Sequence, residues 1–325
     1  MEFLKNKKIL FIAPIFYDYH EIIKLELESF GAKVYSFSER EHSYKFTVIS
    51  NFFPSRLNKL QEKHYANILA KTKDVAFDYL FIIKGYKLPE NFLIEFRKLH
   101  HDAKTMMYQW DSEINNKYVH LIKRFDKVFS FDRNDVSNFP DLTYLPLFYT
   151  EDIKKWRQLN EQNKETKDIL YFGFYQKGRY EVMKEILSFA QENNITLKTF
   201  LYIPLSNYIK ERFLKNNKID LKFISFKPLK RNEYLKLLFD SKVVFDTSSI
   251  NQTGLSMRVI ETIGAGKKLI TYNKYIKDEH VYNPDEHLIF DGNFSKDILS
   301  FINKPSSPNY GNYFLTDWLR AIFSN

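Results

Sequence analysis

The sequence predicts an α/β protein made of two consecutive Rossmann-like domains. Short apolar runs alternate with amphipathic stretches, which is the pattern of strands and helices around a parallel sheet. The alternation stops in a polar, charged segment at residues 149–167 and restarts at Asp168. With 325 residues the chain is long enough for two domains of ordinary size. Because open parallel sheets bind ligands at the carboxyl ends of their strands, we expect the two domains to face each other across a cleft.

The first domain is predicted to span residues 1–150, and a polar interdomain segment follows at 151–167. The helix predicted at 21–30 ends before Gly31, a residue type suited to the C′ position. The predicted strands of this half are 8–14, 33–37, 79–84, 105–109, 127–131 and 142–147, and the predicted helices are 21–30, 56–73, 89–99 and 116–123.

The second domain is predicted to span residues 168–312, and a final aromatic helix follows in the segment 313–325. The predicted strands are 168–174, 196–202, 221–226, 242–246 and 268–272, and the predicted helices are 180–193, 205–216, 231–241, 255–264 and 313–323.

Composition and charge narrow the classes of function. The chain has no Cys, which excludes disulfides and thiolate metal sites. It shows neither a secretory leader nor an apolar stretch of membrane-spanning length, so we expect a cytoplasmic protein. The net charge is +9, but the Lys residues look spread along the chain and no nucleic-acid motif is present. Phosphorylated ligands or an anionic membrane surface fit this charge better than nucleic acid.

The segment from Phe245 to Asn273 carries the most chemical information. A strand is predicted to end at Asp246, and after a polar loop a helix is predicted to open at Gly254 with Thr253 as its cap. Unpaired N–H groups and the helix dipole make such an N-terminus a seat for a diphosphate. Gly254 would let the phosphates approach the backbone closely.

Arg258 and Glu261 are three residues apart on this helix and therefore share a face. The Arg could clamp a phosphate, and the Glu could accept the hydroxyls of a ribose. The opposite, buried face is predicted to hold Met257, Ile260 and Ile263. The alternative is a plain salt bridge between Arg258 and Glu261.

The stretch GLSMRVIETIGAGKKLIT (residues 254–271) resembles the donor-site segment of GT-B-fold glycosyltransferases. More narrowly, the chain resembles bacterial glycosyltransferases of capsule and lipopolysaccharide biosynthesis. The stretches that carry this likeness are YQWDSE (108–113), FDKVFSFDRNDV (125–136) and DILYFGFYQKGRYEVM (168–183).

This resemblance implies a donor site in the second domain and an acceptor site in the first. Glu261 would hold the donor ribose, and Arg258 with the backbone of Gln252, Thr253 and Gly254 would hold the diphosphate. Arg179, expected in a loop, would be a further phosphate ligand. The final helix, with Trp318, would return to the first domain. The chain departs from the retaining pattern at Thr253, where many relatives carry Glu, and at Lys267, where Pro is usual.

Transfer to a hydroxyl with inversion at the sugar needs a general base. Asp111 follows the strand predicted at 105–109, and Asp18 and His20 follow the first strand, so each could face the cleft. We prefer Asp111, beside Trp110, which could stack on a sugar; the alternative for all three is a capping or turn role. Asp111-Ser112-Glu113 imitates an acidic metal motif only weakly, and we expect neither a metal nor another cofactor.

The sequence therefore predicts a metal-independent glycosyltransferase. It would move a sugar from a nucleotide-sugar donor to a cell-surface glycan, of capsule or lipopolysaccharide, in the cytoplasm or at the inner face of the membrane. Two alternatives stay open. One is a non-catalytic nucleotide- or glycan-binding scaffold with the same fold, and the other is a nucleotide-sugar epimerase that needs no acceptor.

Overall fold

The computed structural model describes residues 3–160, 165–247 and 252–324. Contacts between residues divide the chain into two units. The first comprises Met1–Leu147, Asn251–Gly254 and Leu315–Asn325, and the second comprises Phe148–Ile250 and Leu255–Phe314. Each unit contains one sheet of six parallel strands, which confirms the predicted α/β class.

The strands of the first sheet lie in the order β2-β1-β3-β4-β5-β6. The order reverses between β1 and β3, which is where open α/β sheets form their ligand crevice. The strands are β1 (Lys8–Ala13), β2 (Lys33–Ser38), β3 (Tyr79–Ile83), β4 (Lys104–Gln109), β5 (Lys127–Ser130) and β6 (Leu142–Tyr144).

The second sheet has the order β12-β11-β10-β7-β8-β9, and its reversal falls between β10 and β7. The strands are β7 (Lys167–Phe174), β8 (Leu197–Tyr202), β9 (Ile224–Ser225), β10 (Ser241–Asp246), β11 (Lys268–Thr271) and β12 (His287–Ile289).

Helices connect the strands in both units. They are α1 (Tyr19–Ser29), α2 (Tyr44–Phe52), α3 (Leu57–Thr72), α4 (Glu90–Leu99), α5 (Arg133–Asn138), α6 (Glu151–Leu159), α7 (Lys177–Glu192), α8 (Leu205–Ile209), α9 (Arg231–Phe239), α10 (Met257–Gly264), α11 (Lys296–Asn303) and α12 (Leu315–Phe323). No helix among the described residues combines the length and the apolar character needed to cross a bilayer.

The apolar runs became strands because both faces of each sheet are covered. Phe11 in β1, Phe81 in β3 and Phe245 in β10 are all fully buried. The end predicted for the first helix is confirmed, since Gly31 has φ +91 and follows the C-cap residue Phe30 of α1.

Several predicted boundaries were wrong. The helices α2 and α11 and the strand β12 were not predicted, because each is short. The strand predicted at 221–226 is a 3-10 turn, Leu221–Phe223, followed by the two-residue strand β9. The helix predicted at 205–216 is α8 continued by a π-helical turn, Lys210–Leu214. The helix predicted at 116–123 is the 3-10 segment Val119–Arg124.

The segment expected between the domains is largely structured. It contains α6, and β7 begins already at Lys167, both within the second unit. Residues 161–164 lie outside the described residues. The last helix, α12, belongs to the first unit, where the Trp318 ring packs on Tyr108 at 4.6 Å between ring centroids.

Candidate functional site

Arg258 lies at the carboxyl edge of the second sheet, in the first turn of α10. Its Nη1 donates to Oδ1 of Asp246 at 2.8 Å, and Asp246 is fully buried at the end of β10. Thr271, at the end of β11, donates to Oδ2 of the same Asp at 3.1 Å. The guanidinium lies over the ring of Phe172 of β7, at 4.8 Å. Arg258 is therefore fixed across the ends of three neighbouring strands, beside the point where the strand order reverses.

Arg179 reaches the same place from α7. It lies in the first turn of that helix, not in the preceding loop as predicted. Its Nε donates to the carbonyl of Thr247 at 3.3 Å. A Cβ added to Gly173, in β7, would lie 2.9 Å from Nη2 of Arg258 and 3.7 Å from Nη1 of Arg179. Both guanidinium groups therefore converge on one backbone position.

Two converging guanidinium groups have the charge and geometry that suit an anion. Burial, and next the charge of Arg258, lower the pKa of Arg179, while the carboxylate of Asp246, which pairs with Arg258, acts in the opposite direction. Nε of Arg258 is buried and has no hydrogen-bond partner in the described part of the chain. Phosphate oxygens match the planar fork of a guanidinium and would relieve this repulsion.

Glu261 is only 2% exposed and does not pair with Arg258. Its Oε1 accepts from Nη1 of Arg231 at 2.6 Å, and Arg231 also holds the carboxylate of Asp152 through Nε and Nη2, at 2.7 and 2.9 Å. This network ties together α6, α9 and α10. The alternative of a salt bridge between Arg258 and Glu261 was wrong about the partners, because Arg258 pairs with Asp246 and Glu261 pairs with Arg231. A ribose would reach Glu261 only after the bond to Arg231 opens.

The backbone of Gln252, Thr253 and Gly254 was predicted to bind a diphosphate. In the structure, the N–H groups of Thr253 and Gly254 donate to a side chain of the protein. The N–H of Thr253 donates to Oδ2 of Asp132 at 2.9 Å, and its hydroxyl donates to Oδ1 at 2.7 Å. The N–H of Gly254 also points to Oδ2 of Asp132, at 3.3 Å. A carboxylate of the protein thus takes the donors that were assigned to a diphosphate. Gln252 is half-buried, and residues 248–251 of the same loop lie outside the described residues.

The start of α10 also differs from the prediction. The helix begins at Met257, and its N-cap is Ser256, whose Oγ accepts from the N–H of Val259 at 3.4 Å. Thr253 is therefore not the cap. The buried residues run from Val259 to Gly264, whereas Met257 is only half-buried, because the helix is enclosed on more than one side.

The carboxyl edge of the first sheet carries an ion pair between Lys84 and Asp111. Lys84 follows β3 directly, Asp111 lies two residues after β4, and Nζ and Oδ2 are 2.6 Å apart. The side chains are 26% and 31% exposed, so solvent reaches both. A carboxylate has four lone-pair positions, which leaves Asp111 able to accept a further hydrogen bond.

Lys84 is held in an unusual backbone conformation. Its φ is +66, a region that L-residues with a side chain rarely adopt. Its carbonyl accepts from Nε2 of Gln109 at 2.8 Å and from Nδ2 of Asn116 at 3.0 Å. Both amides are buried, so they fix this turn at the crevice of the first sheet.

Glu39 lies at the same edge, directly after β2, and is 3% exposed. Burial raises the pKa of its carboxyl group to about 7, against the opposing effects of the Tyr86 N–H and the charge of Lys84. The charge of Asp111 acts in the same direction as burial. Glu39 therefore titrates near neutral pH in electrostatic contact with the Lys84–Asp111 pair.

Asp18 and His20, the other predicted bases, lie after β1. Asp18 is exposed and occupies the N-cap position of α1 without a side-chain capping bond. His20 is half-buried, and its Nδ1 has no hydrogen-bond partner in the described residues. The rings of Phe16 and Trp110 lie 6.1 Å apart, which brings the loop after β1 to the residues after β4.

The acidic motif at Asp111-Ser112-Glu113 does not form a pair of ligands. Oε2 of Glu113 accepts from the N–H groups of Tyr118 and Val119, at 2.8 and 3.1 Å, and so caps the 3-10 segment. The described residues contain no cluster of three His, Asp or Glu side chains that could hold a metal ion.

Sequence reasoning missed the residues that hold these groups in place. Asp246 and Lys84 were recognised only as strand ends, and their position there was the signal that could have singled them out. Glu39, Gln109 and Asn116 gave no local signal, because their roles depend on which strands are neighbours.

Solved structures with the same fold share little sequence with this chain. An α-glucosyltransferase in complex with UDP and a mismatched 13-mer DNA is 15% identical, with a TM-score of 0.55, and the match covers 96% of this chain and 95% of that one. The catalytic domain of starch synthase IV from Arabidopsis thaliana, bound to ADP and acarbose, is 8% identical, with a TM-score of 0.56 and coverage of 99% and 96%.

UDP-GlcNAc 2-epimerase from Neisseria meningitidis, bound to UDP-GlcNAc, is 10% identical, with a TM-score of 0.53 and coverage of 97% and 99%. No protein-family model and no curated protein matches the chain. The structure defines a protein of the GT-B fold, which glycosyltransferases and these epimerases share. At such identities the likeness establishes the fold, and the activity has to be inferred from the site.

Proposed function

We propose that this chain is a glycosyltransferase that moves a sugar from a nucleoside diphosphate sugar to a hydroxyl group of a glycan. The observation that carries the proposal is the convergence of Arg179 and Arg258 on Gly173, at the ligand crevice of the second sheet. Proteins with this fold hold UDP, ADP or UDP-GlcNAc, each of which contains a diphosphate.

The two guanidinium groups would bind the diphosphate and stabilise the charge that develops on it as it leaves. The N–H groups in the first turn of α7 would add to this field. The reaction would then need no metal, and full activity in EDTA is the corresponding test.

Asp111 is the base that we favour for the acceptor. Its carboxylate would take the proton of the acceptor hydroxyl while that oxygen bonds to the anomeric carbon. The bond from this carbon to the diphosphate oxygen would break, and the nucleoside diphosphate would leave. Trp110 would present its ring to the acceptor sugar.

For the acceptor we propose a cell-surface glycan, of capsule or lipopolysaccharide, and for the enzyme a peripheral position at the membrane. The support is the resemblance of residues 108–113, 125–136 and 168–183 to such transferases, together with the net charge of +9. An acceptor attached to lipid would bring the reaction to an anionic surface.

The first experiment is a thermal-shift panel with UDP, ADP, GDP, CDP, CMP and dTDP. One nucleoside diphosphate should raise the melting temperature of the wild type, because it binds only the folded protein. Arg179→Gln should abolish the shift, whereas Arg320→Gln, a surface Arg that is 51% exposed, should keep it. Equal shifts in both variants would remove Arg179 from the donor site.

Product analysis separates the transferase from its alternatives. With the matching nucleotide sugar, a transferase forms product only when a glycan acceptor is added and otherwise at most hydrolyses the donor slowly. An epimerase converts the donor without acceptor, and a scaffold binds the nucleotide and changes nothing.

A further inference from the structure

A stripe of large apolar side chains is exposed on the segment that joins β8 to β9. Leu205, Ile209 and Phe213 follow one another at intervals of four along α8 and its π-helical continuation, so they lie along one side of this short helix. They are 56%, 49% and 73% exposed, and Leu214 beside them is 79% exposed. A helix that packs only within its own domain would bury such a stripe.

The same segment concentrates the positive charge of the chain. Residues 205–230 contain seven Lys and Arg residues against two acidic residues, which is +5 of the total of +9. The Lys residues are spread along the chain as expected, and this segment stands out because it contains few acidic residues. Each acidic residue is already paired within the segment, Glu211 with Lys215 at 2.6 Å and Asp220 with Lys222 at 3.1 Å. Among the described residues, no ion-pair partner faces the remaining basic side chains, Lys210, Arg212, Lys218, Lys227 and Lys230.

The apolar and the basic side chains belong to one continuous part of the second unit. The rings of Tyr208 and Phe226 are in contact, with centroids 5.3 Å apart, and so join the helix to the loop after β9. Tyr202 at the end of β8 pairs with Ser225 at the end of β9, so both connections leave the same end of the sheet. Phe226 is 41% exposed and adds to the apolar area.

We propose that residues 205–230 dock on the surface of an anionic lipid bilayer. The stripe of Leu, Ile and Phe enters the boundary between headgroups and acyl chains, and the surrounding Lys residues bind the lipid phosphates. This combination of exposed apolar residues and Lys is the pattern of interfacial helices.

The composition of the segment disfavours other partners. Protein interfaces are depleted of Lys, whereas six of the seven basic residues here are Lys. Nucleic-acid sites use basic and polar side chains to contact phosphates and bases, and an aligned Leu–Ile–Phe stripe has no use there.

The test is flotation of the full chain with vesicles of phosphatidylcholine alone and of phosphatidylcholine with one third phosphatidylglycerol. No nucleotide or glycan is added, so the result does not depend on the transferase proposal. The wild type should bind the anionic vesicles, and high salt should weaken that binding. Lys218→Glu/Lys227→Glu should lower the partition by at least about tenfold, and Phe213→Ser/Leu214→Ser should lower it by about tenfold as well.

Matched controls come from outside the segment. Phe52 and Leu159 are 73% and 77% exposed, so Phe52→Ser/Leu159→Ser removes the same kind of surface, and Lys59→Glu/Lys63→Glu makes the same charge change on α3. Both control variants should bind as the wild type does. The proposal is overturned if the wild type does not float with anionic vesicles, or if the segment variants float as well as the controls. Binding of duplex DNA in place of vesicles would overturn it in favour of a nucleic-acid partner.

Discussion

Both sheets reverse their strand order next to the first strand, but the side chains at their carboxyl edges carry opposite charges. In the second unit the edge presents two guanidinium groups, from Arg179 and Arg258. In the first unit it presents the carboxylates of Glu39 and Asp111 around a single Lys84. The strand plan fixes where a ligand binds, and the few residues that follow each strand decide which ligand that is. A cationic edge suits a diphosphate, and a carboxylate edge suits the removal of a proton.

The two edges also hold their cations by different means. Arg258 is fixed by Asp246, a carboxylate that is fully buried. Lys84 is fixed through its backbone carbonyl by two neutral amides, and its ion pair is open to solvent. Loss of the cation should therefore cost much more stability at the guanidinium edge than at the carboxylate edge.

The largest expected effect is on catalysis at the carboxylate edge. Asp111→Asn removes the base that we favour and should lower the transfer rate by roughly 10²- to 10⁴-fold. Initial rates measure this loss, and the nucleotide-induced thermal shift should stay as in the wild type. Asp18→Asn is the control at the same edge. A comparable loss in Asp18→Asn, with Asp111→Asn still active, would transfer the role of base to the loop after β1.

The next effect separates a buried ion pair from an exposed one. Arg258→Ala leaves Asp246 buried without its cation and should lower the free energy of unfolding by about 3–5 kcal/mol. Lys84→Ala breaks a pair that is 26% and 31% exposed, and its effect should be about 1 kcal/mol or less. Urea unfolding measures both. The double variant Arg258→Ala/Asp246→Ala should recover part of the loss, and no recovery would show that packing, not charge, causes it.

The pH dependence of stability tests Glu39. Burial raises its pKa from 4.5 to about 7, so the folded protein binds this proton more tightly than the unfolded chain. The contribution of Glu39 to stability is therefore complete below pH 4.5 and is lost as the pH rises through about 7. The free energy of unfolding of the wild type, relative to that of Glu39→Gln, should fall by about 3 kcal/mol across this window.

Unfolding in urea at several pH values measures this difference, with Glu62→Gln, at an exposed position of α3, as the matched variant. A difference between the wild type and Glu39→Gln that does not change with pH would refute the raised pKa.

The smallest effect concerns the proposed anion site around Gly173. A Cβ at Gly173 would lie 2.9 Å from Nη2 of Arg258, so Gly173→Ala should displace that guanidinium and weaken nucleotide binding by about tenfold. Gly178→Ala is the control, because its Cβ would meet nothing within 4 Å. Inside α7 that substitution should even stabilise the protein by about 0.5–1 kcal/mol. Titration calorimetry with the nucleotide found in the thermal-shift panel compares the two, and equal affinities would count against the site.

The sequence was sufficient to predict most strands and their ends, but not the contacts between side chains. The runs that became β1, β3, β7 and β10 were recognisable because a strand buried on both faces is a short, continuously apolar run. Short elements such as β9 and β12 carry too few residues for a period to show. The role of Arg179 and Arg258 as phosphate ligands stays a prediction, and their convergence on Gly173 is a property of the fold that the sequence did not show.

The sequence by itself determined the α/β class, the two consecutive runs of alternating strands and helices and the ends of the main strands, because apolar alternation and strand ends are local properties of the chain. Only the tertiary structure decided the partners. Glu261 pairs with Arg231 and not with Arg258, and Asp132 takes the N–H groups of Thr253 and Gly254. These contacts join residues from 30 to 122 positions apart. Charge pairing depends on distance and burial in space, and neither can be read from spacing along a chain.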